Sequence, residues 1–257
     1  MELIVDRVSH SYGALPALAG IDLRVGAGEI VVVVGPSGCG KSTLLAIVGG
    51  LLRPTGGSVA VAGTGPADSL NPVTFVFQDF ALLPWRSVEA NVALPLEHHR
   101  LGAAERRARV DEALRRTGLG EFRAAFPKQL SGGMRQRVGI ARALVVRPSV
   151  LLMDEPLSAL DAQTRELLME DFLALWLDRH VAALYVTHNL DEALRLADRI
   201  IVLSRRPGRV QAILPVGMPQ RERGGAAAQG ELLRLRAQLW QSVKEEAAVA
   251  DREISDA

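Results

Sequence analysis

Short runs of almost unbroken apolar residues recur along the chain: IVVVVG at 30–35, VLLMD at 150–154, AALYVTH at 182–188 and RIIVLS at 199–204. Runs of this length and composition predict strands buried on both faces, and the helix-like stretches between them predict a parallel sheet of the α/β class. The beginning of the chain differs. LIVDRVSHSY and IDLRVGAGEI alternate apolar with polar positions and GGSVAVAG follows as a short strand, so a small β-rich lobe is expected there. From 101 to 144 the chain is rich in Ala, Arg, Leu and Glu, which predicts a helical lobe inserted in or flanking the sheet. Beyond Pro215, RERGGAAAQG has the composition of a linker. ELLRLRAQLWQSV then places Leu232, Leu235, Leu239 and Val243 on one stripe, that of a helix packed against its own domain. No internal repeat is seen.

With 257 residues, 48% of them hydrophobic and 23% charged, the chain has ample material for a core. Thirty Lys plus Arg against 29 Asp plus Glu leave a formal charge of +1, which argues against a protein built to neutralise nucleic-acid phosphates. The single cysteine, Cys39, allows no internal disulfide and fits a reducing compartment. The opening MELIVDRVSHSY has neither the basic start nor the apolar stretch of a signal peptide, and no apolar run reaches the roughly 18 residues that would cross a bilayer. The expectation is the cytoplasm, with any membrane role exercised through a partner.

GPSGCGKST at 35–43 changes the picture most, because it fits G-x-x-x-x-G-K-[ST] directly after a buried strand and before the helix-like LLAIVGGLL. Gly35, Pro36, Ser37, Gly38, Cys39, Gly40, Lys41, Ser42 and Thr43 are therefore the expected phosphate cradle. Gly35, Gly38 and Gly40 let the backbone curl so that N–H groups face the phosphates, Lys41 brings positive charge to the β- and γ-phosphates, and the Ser42 hydroxyl can ligate Mg²⁺. Cys39 lies by a helix start, which can lower a thiol pKa, but is read as a small space-filling residue rather than a redox switch.

VLLMDEP places Asp154 and Glu155 at the C-terminal end of a strand, where ligand sites of α/β proteins lie. In phosphoryl transfer one carboxylate holds the metal, usually through water, and another takes the proton of the attacking water; Asp154 and Glu155 suit those roles in that order. VTHN brings His188 to the same edge, where it could sense the γ-phosphate. His10, His98, His99 and His180 lack such placement and are read as solvated or structural. LSGGMRQR opens a further helix with Ser131, Gly132 and Gly133, a start that leaves backbone N–H groups free for an anion. One phosphate loop does not require a second anion-binding helix start.

Taken in order, GPSGCGKS, Gln78 after TFVF, LSGGMRQR, LLMDEP, SALD at 158–161 and His188 resemble the motif series of ATP-binding-cassette ATPase subunits, over roughly residues 2–215. The resemblance implies an α/β P-loop NTPase fold with a parallel-sheet core, an antiparallel β subdomain and a helical subdomain. It implies an ATP-binding domain over 1–218, with its helical subdomain at about 88–145, and a linker and C-terminal helix over 219–257. ATP and Mg²⁺ would be the cofactors of a hydrolysis coupled to transport. By the same resemblance Tyr12 would stack on adenine, and Glu155, His188 and Gln78 would be catalytic. Ser42, Gln78 and Asp154 would serve the metal, Gln78 also linking Mg²⁺ and the attacking water to the transport interface. Asp161 would lie at the subunit contact. Two subunits of this family face head to tail, so Ser131, Gly132 and Gly133 would close over ATP held by the other subunit's phosphate loop, an isologous arrangement. That explains why one chain carries both devices.

The implied partners are a second ATPase subunit in a homodimer, transmembrane permease subunits and, indirectly, a solute-binding protein, with no nucleic acid. The implied location is the cytoplasmic side of the inner membrane, held through the permease. FQDFALLPWRSVEANVALPLE at 77–97 and LSRRPGRV at 203–210 are similar to the importer ATPases for nitrate, sulfonates and taurine. A small anion of that class is the expected solute, although importers of pyrimidine precursors or aromatic acids share these stretches. The alternatives are the ATPase of another transporter or a non-transport cassette ATPase. DNA-repair members interrupt the cassette with long heptad segments and translation factors carry two cassettes; neither feature is present, nor is a guanine-reading N-K-x-D.

The chain has six Phe, three Trp and two Tyr, yet Phe75, Phe77, Phe80 and Trp85 fall within one short stretch. Phe75 and Phe77 sit on an apolar strand and are expected in the core. Phe80, Leu82, Leu83, Pro84 and Trp85 follow Gln78 in a loop-like segment, where apolar side chains are costly to leave wet. By the family resemblance they would receive a short helix of the permease, with Arg86 and Glu89 at the rim; otherwise they form a satellite core beneath the helical lobe.

Overall fold

A computed structural model describes residues 1–158, 160–177 and 181–255; Ala159 of the SALD stretch and His180 lie outside the described residues. The chain begins with strands β1 (Glu2–Tyr12), β2 (Leu15–Val25) and β3 (Ile30–Val34), helix α1 (Lys41–Val48), then β4 (Gly56–Ala62) and β5 (Val73–Val76). Helices α2 (Val88–Ala93), α3 (Ala103–Arg116) and α4 (Gly132–Leu144) follow, then β6 (Val150–Asp154), α5 (Ala162–Leu177), β7 (Ala182–Val186) and α6 (Leu190–Leu196). The order ends with β8 (Arg199–Leu203), β9 (Val210–Pro215) and α7 (Gln229–Ser255). Two units emerge, one of Met1–Gly63 with Ala182–Ala257, the other of Thr64–Val181.

In the first unit the alternating segments pair as expected, in an antiparallel sheet of order β2-β1-β4. Leu3, Val5 and Val8 all face the core, although Val5 and Val8 are three apart. The pairing register shifts between them, with Arg7 at φ 46°, so a bulge restores the inward face after the polar Asp6–Arg7 pair. The second sheet of this unit runs β7-β3-β8-β9, with β3 parallel to both β7 and β8. Every β3 residue is buried, as its unbroken apolar run requires, each side chain contributing roughly 1.5–3 kcal/mol relative to exposure. β9 is antiparallel to β8, so the sheet is parallel except at this edge.

The C-terminal stripe packs as its spacing predicts: Leu239 is fully buried, and Leu232, Leu235 and Val243 are half-buried. The stretch expected as a linker is tied down by Arg223, which is buried and donates to the carbonyls of Leu194 (2.9 Å) and Met218 (2.6 Å). Burial brings the Arg223 pKa down to about 10 against the pull of Asp198. It stays charged at neutral pH, and the carbonyls replace its lost water.

In the second unit β5 and β6 pair in parallel, and α2, α3 and α4 enclose an apolar cluster around Val92, Leu96, Val110, Leu114 and Val138. The core expectation fails for Phe77, whereas Phe80 takes the satellite-core alternative. Phe77 is 38% exposed and stacks on half-buried Phe75 with ring centroids 4.3 Å apart. Phe80 is buried instead. Left-handed backbone at Phe80 (φ 57°) and Ala81 (φ 42°) turns its side chain onto α4, where a Cβ on Gly139 would lie only 3.2 Å from that of Phe80. Arg142, also on α4, donates to the carbonyls of Phe80 and Ala81 and holds the turn. Leu82 packs against the helical cluster, whereas Trp85 is 71% exposed. The segment is thus core at Phe80 and Leu82 and open at Trp85. No helix among the described residues is long and apolar enough to cross a membrane.

Candidate functional site

The first unit carries the phosphate loop. β3 delivers the chain to Gly35, and α1 starts at Lys41 after Gly40, whose φ of 104° is left-handed. A Cβ at Gly40 would lie 2.6 Å from Leu18 Cδ2, and one at Gly35 would lie 2.8 Å from the Leu203 carbonyl oxygen. The glycines are therefore required both for the curl and for close approach of the strands behind it. Lys41 is 7% exposed, and its Nζ donates to the carbonyls of Gly35 and Pro36, each at 2.9 Å. Ser37, Gly38 and Ser42 are exposed at the loop tip, and Pro36, Gly40 and Thr43 are partly so.

Cys39 points inward and is 1% exposed, with Lys41 Nζ 3.8 Å from its sulfur. Burial pushes the thiol pKa up, outweighing Lys41, so the sulfur stays protonated at neutral pH. It fills space beneath Gly35.

Tyr12 ends β1 with its side chain half in solvent, its hydroxyl 3.3 Å from Thr43 Oγ1 on α1. The ring is backed edge-on by His10, which is 6% exposed and hence structural rather than solvated. Strand register places His188. Val33 pairs with Val186 in parallel, so Gly35 and His188 each lie two residues past the same rung, at one sheet edge. Glu192 is 2% exposed and accepts hydrogen bonds from Tyr185 and Thr187, both at 2.8 Å, fixing the turn that presents His188. Asn189 caps α6 just behind it. His98 is exposed and His99 half-buried, away from any strand end.

The second unit repeats this logic. Val76 pairs with Met153 in parallel, so Gln78 and Glu155 each lie two residues beyond a common rung, and Asp154 ends β6. Gln78 is exposed, Asp154 and Glu155 half-buried. Ser158 joins the two strand ends: its hydroxyl accepts from Gln78 Nε2 (3.3 Å) and donates to the Glu155 carbonyl (2.9 Å). The motif SALD contains Ser158 but gives no hint of this bridge, because its partner lies 80 positions away.

Ser131 caps α4, its hydroxyl accepting from the Met134 N–H at 3.2 Å. The first turn carries no acidic residue to compete with an incoming anion. Gly132 and Gly133 also allow close approach to the start of α5 and the residues before it; a Cβ on Gly133 would lie 3.1 Å from Thr164 Cγ2 and one on Gly132 3.4 Å from Leu160 Cδ2. Asp161 accepts from the Thr164 N–H at 2.9 Å as the cap of α5, and these backbone bonds hold its carboxyl below the usual range.

These residues fit a nucleotide and its metal in kind. The loop is open at Ser37, Gly38 and Ser42, and among the described residues its lysine is bonded only to carbonyls and the Cys39 sulfur, partners that phosphate oxygens outcompete. No group of three or more His, Cys, Asp or Glu among the described residues forms a metal cage.

Residues 18–158 match the family described as ABC transporter. The taurine import ATP-binding protein TauB of Chromobacterium violaceum is 44% identical over 248 residues, covering 94% of this chain and 95% of that protein. TauB of Burkholderia pseudomallei is 48% identical over 215 residues, covering 82% and 83%. Among solved structures, a dimeric ATP-binding cassette in a post-hydrolysis state bound to ADP and Pi superposes with a TM-score of 0.71 at 35% identity, covering 84% of this chain and 100% of that one. With its phosphate loop, its second glycine-led helix start and these relatives, the chain belongs to the ABC transporter family, as an ATP-binding member with the α/β P-loop fold of that family's ATPase cassettes.

Proposed function

We propose that the protein is the ATP-hydrolysing subunit of an importer for a small anion of the nitrate, sulfonate and taurine class, working as a head-to-tail homodimer on the cytoplasmic side of the inner membrane beneath permease subunits. One observation carries the nucleotide role: a phosphate loop whose lysine is bonded, among the described residues, only to its own loop, at Gly35, Pro36 and Cys39. Lys41 exchanges those bonds for phosphate oxygens, and loop N–H groups from Gly38 to Ser42 cradle the phosphates. Tyr12 gives the adenine ring a face to stack on, stiffened by His10 and by its bond to Thr43. Ser42, Gln78 and Asp154 are the residues that would hold a magnesium ion, in part through water, and that ion would supply neutralisation of phosphate charge.

Glu155 takes the proton of the attacking water, Gln78 orients that water, and His188 donates to the γ-phosphate. Ser131, Gly132 and Gly133 complete the partner's site, with Asp161 at the contact. The TauB relatives support the solute class, and the dimeric cassette supports the pairing. One ATP-binding domain then spans 1–218, with residues 219–257 appended.

The test combines two measurements. Purified protein should hydrolyse ATP only with Mg²⁺, Lys41→Ala should lose nucleotide binding, and cells lacking the gene should lose uptake of labelled taurine or a short alkanesulfonate. Binding unchanged in Lys41→Ala would overturn the nucleotide site; unchanged uptake of both solutes would overturn taurine and sulfonates as the solutes, leaving the nucleotide site intact.

A further inference from the structure

The turn LSRRPGRV does more than resemble a subfamily signature. Val34 of β3 pairs with Val202 of β8, so the residues after Leu203 emerge beside the phosphate loop. The turn is fastened to the first unit by its backbone: Gly208 N–H donates to the Ala17 carbonyl (2.9 Å) and Ala19 N–H donates to the Gly208 carbonyl (3.0 Å). Gly208 lies so close to the loop that a Cβ there would be 2.2 Å from the Cys39 carbonyl oxygen. On the other side, buried Glu246 of α7 accepts from the Arg205 N–H at 2.9 Å and pairs with its guanidinium at 3.8 Å. The turn is thus gripped by β2 and the C-terminal helix, while a side chain is left over.

That side chain is Arg206. It is exposed and has no hydrogen-bond or ion-pair partner among the described residues, unlike Arg205. Its Nη2 lies 3.8 Å from the point where a Cβ on Gly38 would stand, alongside the exposed tip of the phosphate loop. Two cations, Lys41 and Arg206, therefore serve one loop, and among the described residues neither is paired with a carboxylate. Uncompensated like charges at one place are unfavourable until an anion arrives. A planar guanidinium with five donors matches phosphate oxygens in geometry as well as charge.

We propose that Arg206 is a nucleotide-contacting residue, reaching over Gly38 to the phosphate chain of the nucleotide held by its own chain, and that the grip of α7 on Arg205 keeps it there. This rests on the nucleotide reading given above. The C-terminal helix thereby acquires a part in nucleotide binding, because Glu246 holds the backbone from which Arg206 projects.

The experiment is titration of the full-length chain with Mg-ATP, Mg-ADP and AMP, for wild type, Arg206→Gln, Arg206→Lys, Arg205→Gln and Lys41→Ala, each checked for an unchanged thermal midpoint. Arg206→Gln should weaken Mg-ATP and Mg-ADP binding about 10-fold, the scale of one lost charge-assisted bond, and Arg206→Lys should recover part of it. Arg205→Gln is the turn control and should bind more tightly than Arg206→Gln. Wild-type affinity in Arg206→Gln overturns the proposal while leaving the nucleotide reading intact. Equal weakening in all three turn variants, with lowered thermal midpoints, overturns it in favour of a purely structural turn. Failure of wild type to bind Mg-ATP, or full binding by Lys41→Ala, overturns the underlying nucleotide reading instead.

Discussion

Glu155 occupies left-handed backbone, with φ 45°, although it is not glycine. Such a conformation costs of order 1–3 kcal/mol and persists where surrounding bonds impose it; here the Glu155 carbonyl accepts from both the backbone N–H (3.1 Å) and the hydroxyl of Ser158. The carboxylate is thereby set at the end of β6 rather than left to a mobile loop. Glu155→Gln keeps the backbone bonds and removes only the base. Hydrolysis should fall by ~10²–10⁴-fold, the usual weight of general-base catalysis, with Mg-ATP affinity retained; steady-state ATPase rates and a nucleotide titration check both halves. A variant that hydrolyses at the wild-type rate would remove Glu155 from its role. Asp154 and Glu155 were legible because the apolar strand VLLMD leads straight into them. Ser158 was not, because its meaning depends on a glutamine that folding alone brings to it.

At the scale of elements, the stretch from Gln78 to Trp85 is one piece of structure with two faces. The turn at Phe80 and Ala81 is clamped to α4 by Arg142, and α4 is the helix that Ser131 caps. The start of α4 and the backbone that leads to Trp85 are thus joined through one helix. Phe80 is 8% exposed and Trp85 71%, so the same truncation has opposite readouts. Phe80→Ala should destabilise by about 3–5 kcal/mol, as loss of a buried aromatic does. Trp85→Ala should leave stability and nucleotide binding unchanged but weaken assembly with the permease or uncouple hydrolysis from uptake. Chemical denaturation, co-purification with the permease and transport assays distinguish these. Normal assembly and coupled transport by Trp85→Ala would show that the permease docks elsewhere. Hydrophobicity alone left both aromatics open between a docking surface and a satellite core; left-handed backbone at two adjacent non-glycine residues, invisible in composition, divided them.

At the scale of the molecule, each chain carries a phosphate loop and a glycine-led helix start, and the proposed dimer pairs one with the other's. That arrangement has a consequence for mixtures. Lys41→Ala and Ser131→Arg should each be inactive alone, because each damages both sites of its own homodimer. A mixed dimer holds one doubly damaged site and one intact site, so mixing the two proteins should restore part of the ATPase rate. Rates measured against mixing ratio, and the concentration dependence of wild-type activity, test this. Full activity at dilutions where the protein is monomeric would exclude the shared site.

The sequence by itself determined the strands, the phosphate loop, the acidic strand end, the C-terminal stripe and the family. Each is written in contiguous residues or at a fixed helical or strand period, so local chemistry suffices to find it. Tertiary structure decided what depends on distant partners: β9 as an antiparallel edge, Phe80 inside and Phe77 half out, and the Ser158 bridge. It also decided that Cys39 is an inert, buried thiol and that Arg223 anchors a stretch of linker-like composition. Arg206 belongs with these. The sequence shows an arginine in a turn, and only the pairing of β3 with β8 and the fit of Gly208 against Cys39 bring that turn to the phosphate loop.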